Sequence, residues 1–253
     1  MKVLQISDSH LTSPGQWLHG SDPLERLRQL LEHAGEHHGD ANGIILTGDL
    51  THRGEAAAYQ ALGLLLQEQR LPVHLMLGNH DRRDMFRQCL PHHTHGTLSF
   101  LQYVLVHGQH RLLLLDTLDE GKSSGHLCPA RLSWLQAQLE AAGSDPVYLF
   151  MHHPPFEVGM APLDNCRLDN ADALHAVLAA HGNVRHLFCG HVHRHISGCW
   201  RGLPFSTVKG SNHQTALRLG QATHAHSGEA PGYSVILADE SSVVVHYQDV
   251  ACP

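Results

Sequence analysis

The feature that most constrains this chain is a regular alternation of two kinds of segment. Six short apolar runs, at 2–7, 43–47, 73–77, 111–116, 147–151 and 184–189, have strand length and are bounded by turn residues or charges. Between them lie five segments of helical character, at 23–38, 55–69, 83–90, 129–142 and 170–181. Asp22 before Pro23 and Cys128 before Pro129 fit the start of a helix, since proline suits the first helical position. Leu24, Leu27, Leu30 and Leu31 repeat at the spacing of one buried helical stripe. Such alternation predicts βαβ units and a sheet covered on both faces. From His195 onward the texture changes to short strand-like pieces punctuated by glycine, ending in 233–238 and 242–247 around Asp239-Glu240. That tail, residues 208–253, is expected to be β-rich and to complete a second sheet. With no internal repeat and no obvious linker, residues 1–253 are expected to form one domain.

Composition excludes several functions. Hydrophobic residues make up 42% and charged residues 16%, which suits a packed globule and not a disordered chain. A formal charge of −7 with 17 Lys+Arg is a poor footprint for gripping long nucleic acid. The segment up to Asp8 holds no long apolar stretch, so neither a signal peptide nor a membrane anchor is expected there, and a cytoplasmic location follows. The six cysteines are scattered without a Cys-x-x-Cys pair and read as reduced thiols. The 26 histidines, about one residue in ten, require either metal chemistry or compositional drift.

Chemistry-bearing residues recur just after the predicted strands. The first strand runs into Asp8-Ser9-His10, the second into Gly48-Asp49 and the third into Gly78-Asn79-His80-Asp81. Later come His152-His153-Pro154-Pro155 and Gly190-His191-Val192-His193. In open α/β sheets, ligands bind at the carboxyl ends of strands. On an extended chain, residues two apart project from one face, so Asp8 with His10, and His191 with His193, each offer two donors to one cavity. Singly these motifs mean little: Gly-Asp is usually a turn, and His-x-His is uninformative in so histidine-rich a chain. The ordered set is what carries weight. Aspartate, asparagine and imidazole donors without thiolate suit Mn, Fe, Zn or Co and do not suit a structural zinc cage of cysteines.

This ordered set resembles the calcineurin-like metallophosphoesterases over about residues 1–215. Gly48-Asp49-Leu50-Thr51 with Gly54-Glu55, and His152-His153-Pro154-Pro155 with the earlier Asp116-Thr117, are most similar to the branch of class III cyclic-nucleotide phosphodiesterases and bacterial glycerophosphodiesterases. The resemblance implies an α/β fold: a four-layer α-β-β-α sandwich of two mixed sheets flanked by helices. It also implies two divalent metal ions per chain, with Asp8, His10, Asp49 and His193 on the first. Asp49, Asn79, His152 and His191 would hold the second, Asp49 bridging, with His153 the substitute for His152 if the register differs by one. His80 would sit beside the metals as a catalytic residue contacting phosphate or the leaving oxygen, with Asn79 among the substrate contacts; His213, which follows the metal-ligand strands, is a further candidate substrate contact at the rim of the site. No tyrosine follows Asp49, so a tyrosinate-bound ferric ion is not expected.

The implied function is hydrolysis of small phosphodiesters, with 3′,5′-cyclic nucleotides such as cAMP ahead of glycerophosphodiesters; a broad-specificity diester or phosphonate monoester hydrolase is a further alternative. A non-catalytic scaffold would predict damaged ligands, and a histidine-rich metal store would not need them ordered at strand ends. Arg53, Arg82, Arg83 and Lys209 are the candidate phosphate clamps near the motifs. Asn165-Cys166-Arg167 lies after the His152 loop, where members of the family it resembles shape substrate access. Partners other than a small-molecule substrate are not expected, apart from a possible homo-oligomer formed through the β-rich tail.

Overall fold

The structure, a computed structural model, describes residues 1–95 and 99–251; Cys252, one of the six scattered thiols, lies outside that range. The five other cysteines are unpaired thiols. In chain order the strands and helices begin with β1 (Lys2–Ile6), α1 (Pro23–His37), β2 (Ile44–Leu46), α2 (Ala56–Gln67), β3 (Val73–Leu75) and α3 (Arg83–Cys89). There follow β4 (Tyr103–His107), β5 (His110–Leu115), α4 (Pro129–Ala142), β6 (Val147–Met151), α5 (Ala161–Asp164), α6 (Ala171–Ala179) and β7 (Val184–Cys189). The chain closes with β8 (Ser197–Trp200), β9 (Leu203–Thr207), β10 (Gln214–Thr215), β11 (His226–Ser227), β12 (Gly232–Ala238) and β13 (Val243–Asp249).

Two large mixed sheets result. The first has the order β13-β12-β1-β2-β3, and the second β4-β5-β6-β7-β9-β8. Within them β1, β2 and β3 run parallel, as do β5, β6, β7 and β9. The apolar run of β5 explains how the layers stack. Leu112 and Leu114 join the core shared with β1, β2, α1 and α2, whereas Leu113 and Leu115 join a second core with α4 and α6. A strand turns alternate side chains to opposite faces, so four leucines in a row mark a strand buried on both sides. Burying each leucine side chain stabilises the fold by about 1.5–3 kcal/mol. The layers are therefore helices, sheet, sheet and helices.

Local signals account for the element boundaries. Asp22 caps α1, accepting bonds from the Leu24 and Glu25 amides at 3.0 and 3.4 Å, and Pro23 follows in the first turn. Leu27, Leu30, Leu31 and Ala34 form its buried stripe. The β-rich tail, by contrast, takes a different place from the one expected. Its hairpin β12–β13 pairs antiparallel with β1, Lys2 opposite Leu237 and Gln5 opposite Ser234. It therefore extends the sheet that β1 begins, while β8 and β9 extend the other. Alternation of apolar residues makes β12 a strand; only its long-range pairing decides which sheet receives it. Among the described residues no helix is long and apolar enough to cross a membrane.

Candidate metal centre

The loops that follow β1, β2, β3, β6, β7 and β9 leave the carboxyl ends of parallel strands and meet along one edge of the sandwich. Backbone bonds tie them together: Asp8 N–H donates to the Gly48 carbonyl at 3.1 Å, His10 N–H to Asp49 at 2.8 Å, and Ser211 N–H to Ser7 at 2.9 Å. Two further bonds cross between the sheets, from the Gln5 amide to the Cys189 carbonyl at 3.1 Å and from His152 Nδ1 to the Thr47 carbonyl at 2.8 Å.

The donor pairs are produced by a backbone different from the extended one expected. Asp8, His10, Asp49, His191 and His193 all adopt positive φ, between 47° and 71°. Only glycine visits this left-handed region freely, and each such residue costs on the order of 1 kcal/mol. The strand ends thus turn sharply and present Asp8 and His10 inward as a pair. Five strained residues at one place are held by the surrounding bonds, as functional sites commonly are. Gly78 permits the packing: a Cβ there would run into the Asp49 carboxylate and lie 2.6 Å from His152 Nε2.

The donor atoms of Asp8, His10, Asp49 and His193 lie within 4.8 Å of one another, and so do those of His152, His153 and His191. Asp49 joins the two groups, its Oδ2 being 3.5 Å from His10 Nε2 and 3.4 Å from His152 Nε2. His193 Nε2 is 3.4 Å from Asp8 Oδ1 and 3.1 Å from His10 Nε2. Carbonyls orient the rings. Since a carbonyl only accepts, the bonds from His152 Nδ1 to Thr47 and from His193 Nδ1 to His213, each 2.8 Å, place the hydrogen on Nδ1. Nε2 of each ring then faces the carboxylates, carrying a proton when the ring is charged and offering its lone pair to a cation bound there instead. His80 is set the same way, with Nδ1 donating to the His52 carbonyl at 2.8 Å, while its backbone N–H donates to Asp49 Oδ1 at 2.8 Å.

This donor set fits divalent cations. Buried polar atoms nearly always find partners, yet His10 Nδ1, Asn79 Oδ1 and Nε2 of His152, His153 and His191 have none. Two buried carboxylates facing these imidazoles supply the negative charge a cation needs. Burial alone would raise the Asp49 carboxyl, but the His152 and His10 imidazoles hold it well below the usual carboxylate range. Burial likewise opposes charge on His152, but Asp49 and Asp8 push it up to about 9. His191, buried and beside His152, is pushed down to about 3.

A cavity of about 280 Å³ opens onto this centre, lined by His10, Asp49, Asn79, His80, His191, His193 and His213, with His19, Cys166 and His224 among its further walls. All nine site residues expected from the sequence therefore either join the two donor groups or line this cavity. His153 belongs to the same group as His152, its Nδ1 2.8 Å from the Thr117 hydroxyl. Three of the four proposed phosphate clamps are already engaged. Arg83 makes a two-pronged pair with Asp116, both bonds 2.8 Å; Arg82 pairs with Asp84; Lys209 bonds both Asp249 oxygens at 2.9 Å. Arg53 lines a neighbouring cavity with His52, Asn79 and His80.

Sequence reasoning gave Asp81 no role, and the structure gives it a large one. Its buried carboxylate accepts from the amides of Leu50, Thr51 and Gly78 and from the hydroxyls of Thr51 and Tyr59. It thereby fixes the loop bearing Asp49 to the loop bearing Asn79. The signal was its position as the last residue of Gly78-Asn79-His80-Asp81, a motif read only for its donors.

The fold and centre define a phosphoesterase of the metallophosphoesterase architecture, and similarity to known proteins agrees. The profile of the calcineurin-like phosphoesterases matches residues 1–195, and the chain belongs to that family, whose members use a divalent metal centre. A relative in Rhodopseudomonas palustris, named a probable cyclic nucleotide phosphodiesterase, is 39% identical over 250 residues, covering 97% of this chain and 91% of its own. Another in Arcobacter nitrofigilis, named a probable glycerophosphodiester phosphodiesterase, is 28% identical over 98% of this chain and 88% of its own. Among solved structures, a dimetal phosphatase from Danio rerio shares the fold, with a TM-score of 0.75 at 16% identity, over 98% of this chain and 96% of that one.

Proposed function

We propose that this chain is a metal-dependent phosphoric diester hydrolase acting on small diesters, with a 3′,5′-cyclic nucleotide as the leading substrate. The observation carrying this reading is Asp49, whose Oδ2 lies within 3.5 Å of one imidazole from each donor group. Asp8, His10, Asp49 and His193 would hold one ion, and Asp49, Asn79, His152 and His191 the other, with His153 next in line for the second. Bound there, two divalent ions supply Lewis-acid activation of water and charge neutralisation at phosphorus.

The chain's own groups supply the rest. The His80 amide fixes the Asp49 carboxylate, and the carbonyls of Thr47 and His213 fix the His152 and His193 rings, so the donors are oriented before substrate arrives. With His80 Nδ1–H bonded to the His52 carbonyl, Nε2 is the atom that carries a transferable proton when the ring is charged. As water attacks phosphorus it gives up a proton to solvent and the phosphorus–oxygen bond breaks; Nε2–H protonates the departing alkoxide, leaving a neutral imidazole that regains its proton from solvent. Asn79 and His213 line the cavity and would face the phosphate oxygens of a bound diester. A singly charged diester suits a cavity whose nearby cations are mostly paired with carboxylates. Metal identity among Mn, Fe, Zn and Co, a cytoplasmic location and a single domain over 1–253 belong to the same reading.

The relative named for glycerophosphodiesters supports a second reading, in which that substrate occupies the same centre. With added Mn²⁺, catalytic efficiency is to be compared on cAMP, a glycerophosphodiester, a phosphomonoester and single-stranded DNA. The highest kcat/KM is expected on cAMP. Preference for the glycerophosphodiester selects the second reading, and turnover of the monoester alone refutes both.

A further inference from the structure

At the mouth of the cavity lies a second cluster of imidazoles, outside the seven donors assigned above. His19, His213 and His226 bring one ring nitrogen each within 4.8 Å of the others. Their ring centroids are 4.5 Å apart for His19 and His213, 4.1 Å for His19 and His226, and 4.9 Å for His213 and His226. These residues come from three separate parts of the chain, so no local repeat explains their meeting.

The fold builds the cluster deliberately. His19 sits at the tip of a tight turn closed by mutual backbone bonds between Leu18 and Ser21, at 2.9 and 3.3 Å, with His19 in the left-handed region at φ 53°. Asn212 stitches that turn to the next loop, its Oδ1 accepting from the Ser21 hydroxyl at 2.7 Å and its amide donating to the Leu18 carbonyl at 3.4 Å. His213 follows directly. His226 is placed by the β10–β11 ladder, opposite Thr215. The three side chains are thus carried on a turn, a loop and a strand that are bonded to one another or to β10.

We infer that His19, His213 and His226 form a third metal site, able to take Zn²⁺, at the entrance of the cavity. Three imidazoles without carboxylate suit Zn, Cu or Ni and not Mg, Ca or Mn, whereas the buried centre mixes oxygen and nitrogen donors. Three protein ligands leave one tetrahedral position open to solvent, which matches a cluster in which His19 and His226 are exposed and His213 half-buried. Because His213 also lines the cavity, an ion there fixes one of its walls. The site borders the buried pair: it shares none of the seven donors assigned to that pair, but His213 also brings a ring nitrogen within 4.8 Å of those of His10 and His193.

The test is the number of tightly bound zinc ions per chain, read by elemental analysis after equilibrium dialysis against Zn²⁺. The intact protein is compared with the double variant His19→Asn/His226→Asn. Both positions are exposed, and circular dichroism and thermal melting must match the parent before metal is counted. A second double variant, His33→Asn/His37→Asn, controls for surface histidines, since those rings stack 4.1 Å apart on α1 far from the cavity. Loss of one equivalent in the first variant and none in the second is expected, whatever the occupancy of the buried centre. Equal zinc content in the intact protein and the first variant, or the same loss in the control, overturns the inference.

Discussion

The two sheets contribute unlike chemistry to one centre. The loops after β1, β2 and β3 supply both carboxylates, Asp8 and Asp49, together with Asn79 and one imidazole, His10. The loops after β6 and β7 supply imidazoles alone, from His152, His191 and His193. Neither side makes a site by itself, because the negative charge sits on one sheet and most of the nitrogen donors on the other. The bond from His152 Nδ1 to the Thr47 carbonyl is where the difference becomes a design: the imidazole of the second sheet is oriented by the backbone of the first. Packing the sandwich and assembling the centre are therefore the same event.

Removing the first sheet's shared carboxylate is expected to have the largest effect. Asp49→Ala takes away the group that joins the two donor sets, so metal content should fall by at least one ion. Its kcat/KM should drop beyond the roughly 10²–10³-fold typical of losing a single electrostatic contact. Two metals per chain by elemental analysis when Asp49→Ala is made in the His19→Asn/His226→Asn background would break the proposed division between the sheets. His80→Ala should do less. It keeps both donor sets, so metal content stays, while turnover of diesters with poor leaving groups falls by about 10²–10⁴-fold. A burst of full activity on such a diester would remove the Nε2 proton from the mechanism; diesters with good leaving groups should be affected least.

An imidazole in the second sheet that serves only packing sharpens the contrast. His186, on β7, is buried, stacked on Phe188 and within 3.0 Å of the Ser206 hydroxyl. Burial pushes it down from an ordinary 6.5 to about 4. The folded protein then binds this proton more weakly than the unfolded chain. Its contribution is fully present above about pH 6.5 and is lost as pH falls toward 4, amounting to about 3 kcal/mol at most. Denaturant melts between pH 7 and 4 should be flatter for His186→Gln than for the parent protein. Parallel curves would mean that the buried ring is not the titrating group. Activity near neutral pH should change little.

Much of this was legible in the sequence because strand ends carry their own punctuation. An apolar run followed at once by Gly-Asp or Gly-Asn-His-Asp states both where the strand stops and which donors follow. The α1 boundary was equally plain in Asp22-Pro23. What escaped depends on partners far along the chain or on backbone hand. β4 was not among the expected strands, although Gly108, at φ 61°, turns it into β5. The sheet joined by β12 and β13 is decided by pairing with β1, more than two hundred residues away. The left-handed φ values at Asp8, His10 and Asp49 are adopted by only a minority of non-glycine residues, Asp and His more often than most, so residue type alone does not fix them. Likewise Arg82, Arg83 and Lys209 could not be known to be paired until Asp84, Asp116 and Asp249 were seen beside them.

The most direct test of a cation pair shared between the sheets is chelation followed by reconstitution. The purified protein is stripped with a strong chelator, assayed on cAMP, and titrated with Mn²⁺ while bound metal is counted. Hydrolysis should vanish on stripping and return as two ions per chain are taken up by the parent protein but not by Asp49→Ala. Hydrolysis that survives stripping, or full recovery with a single bound ion, would contradict the account.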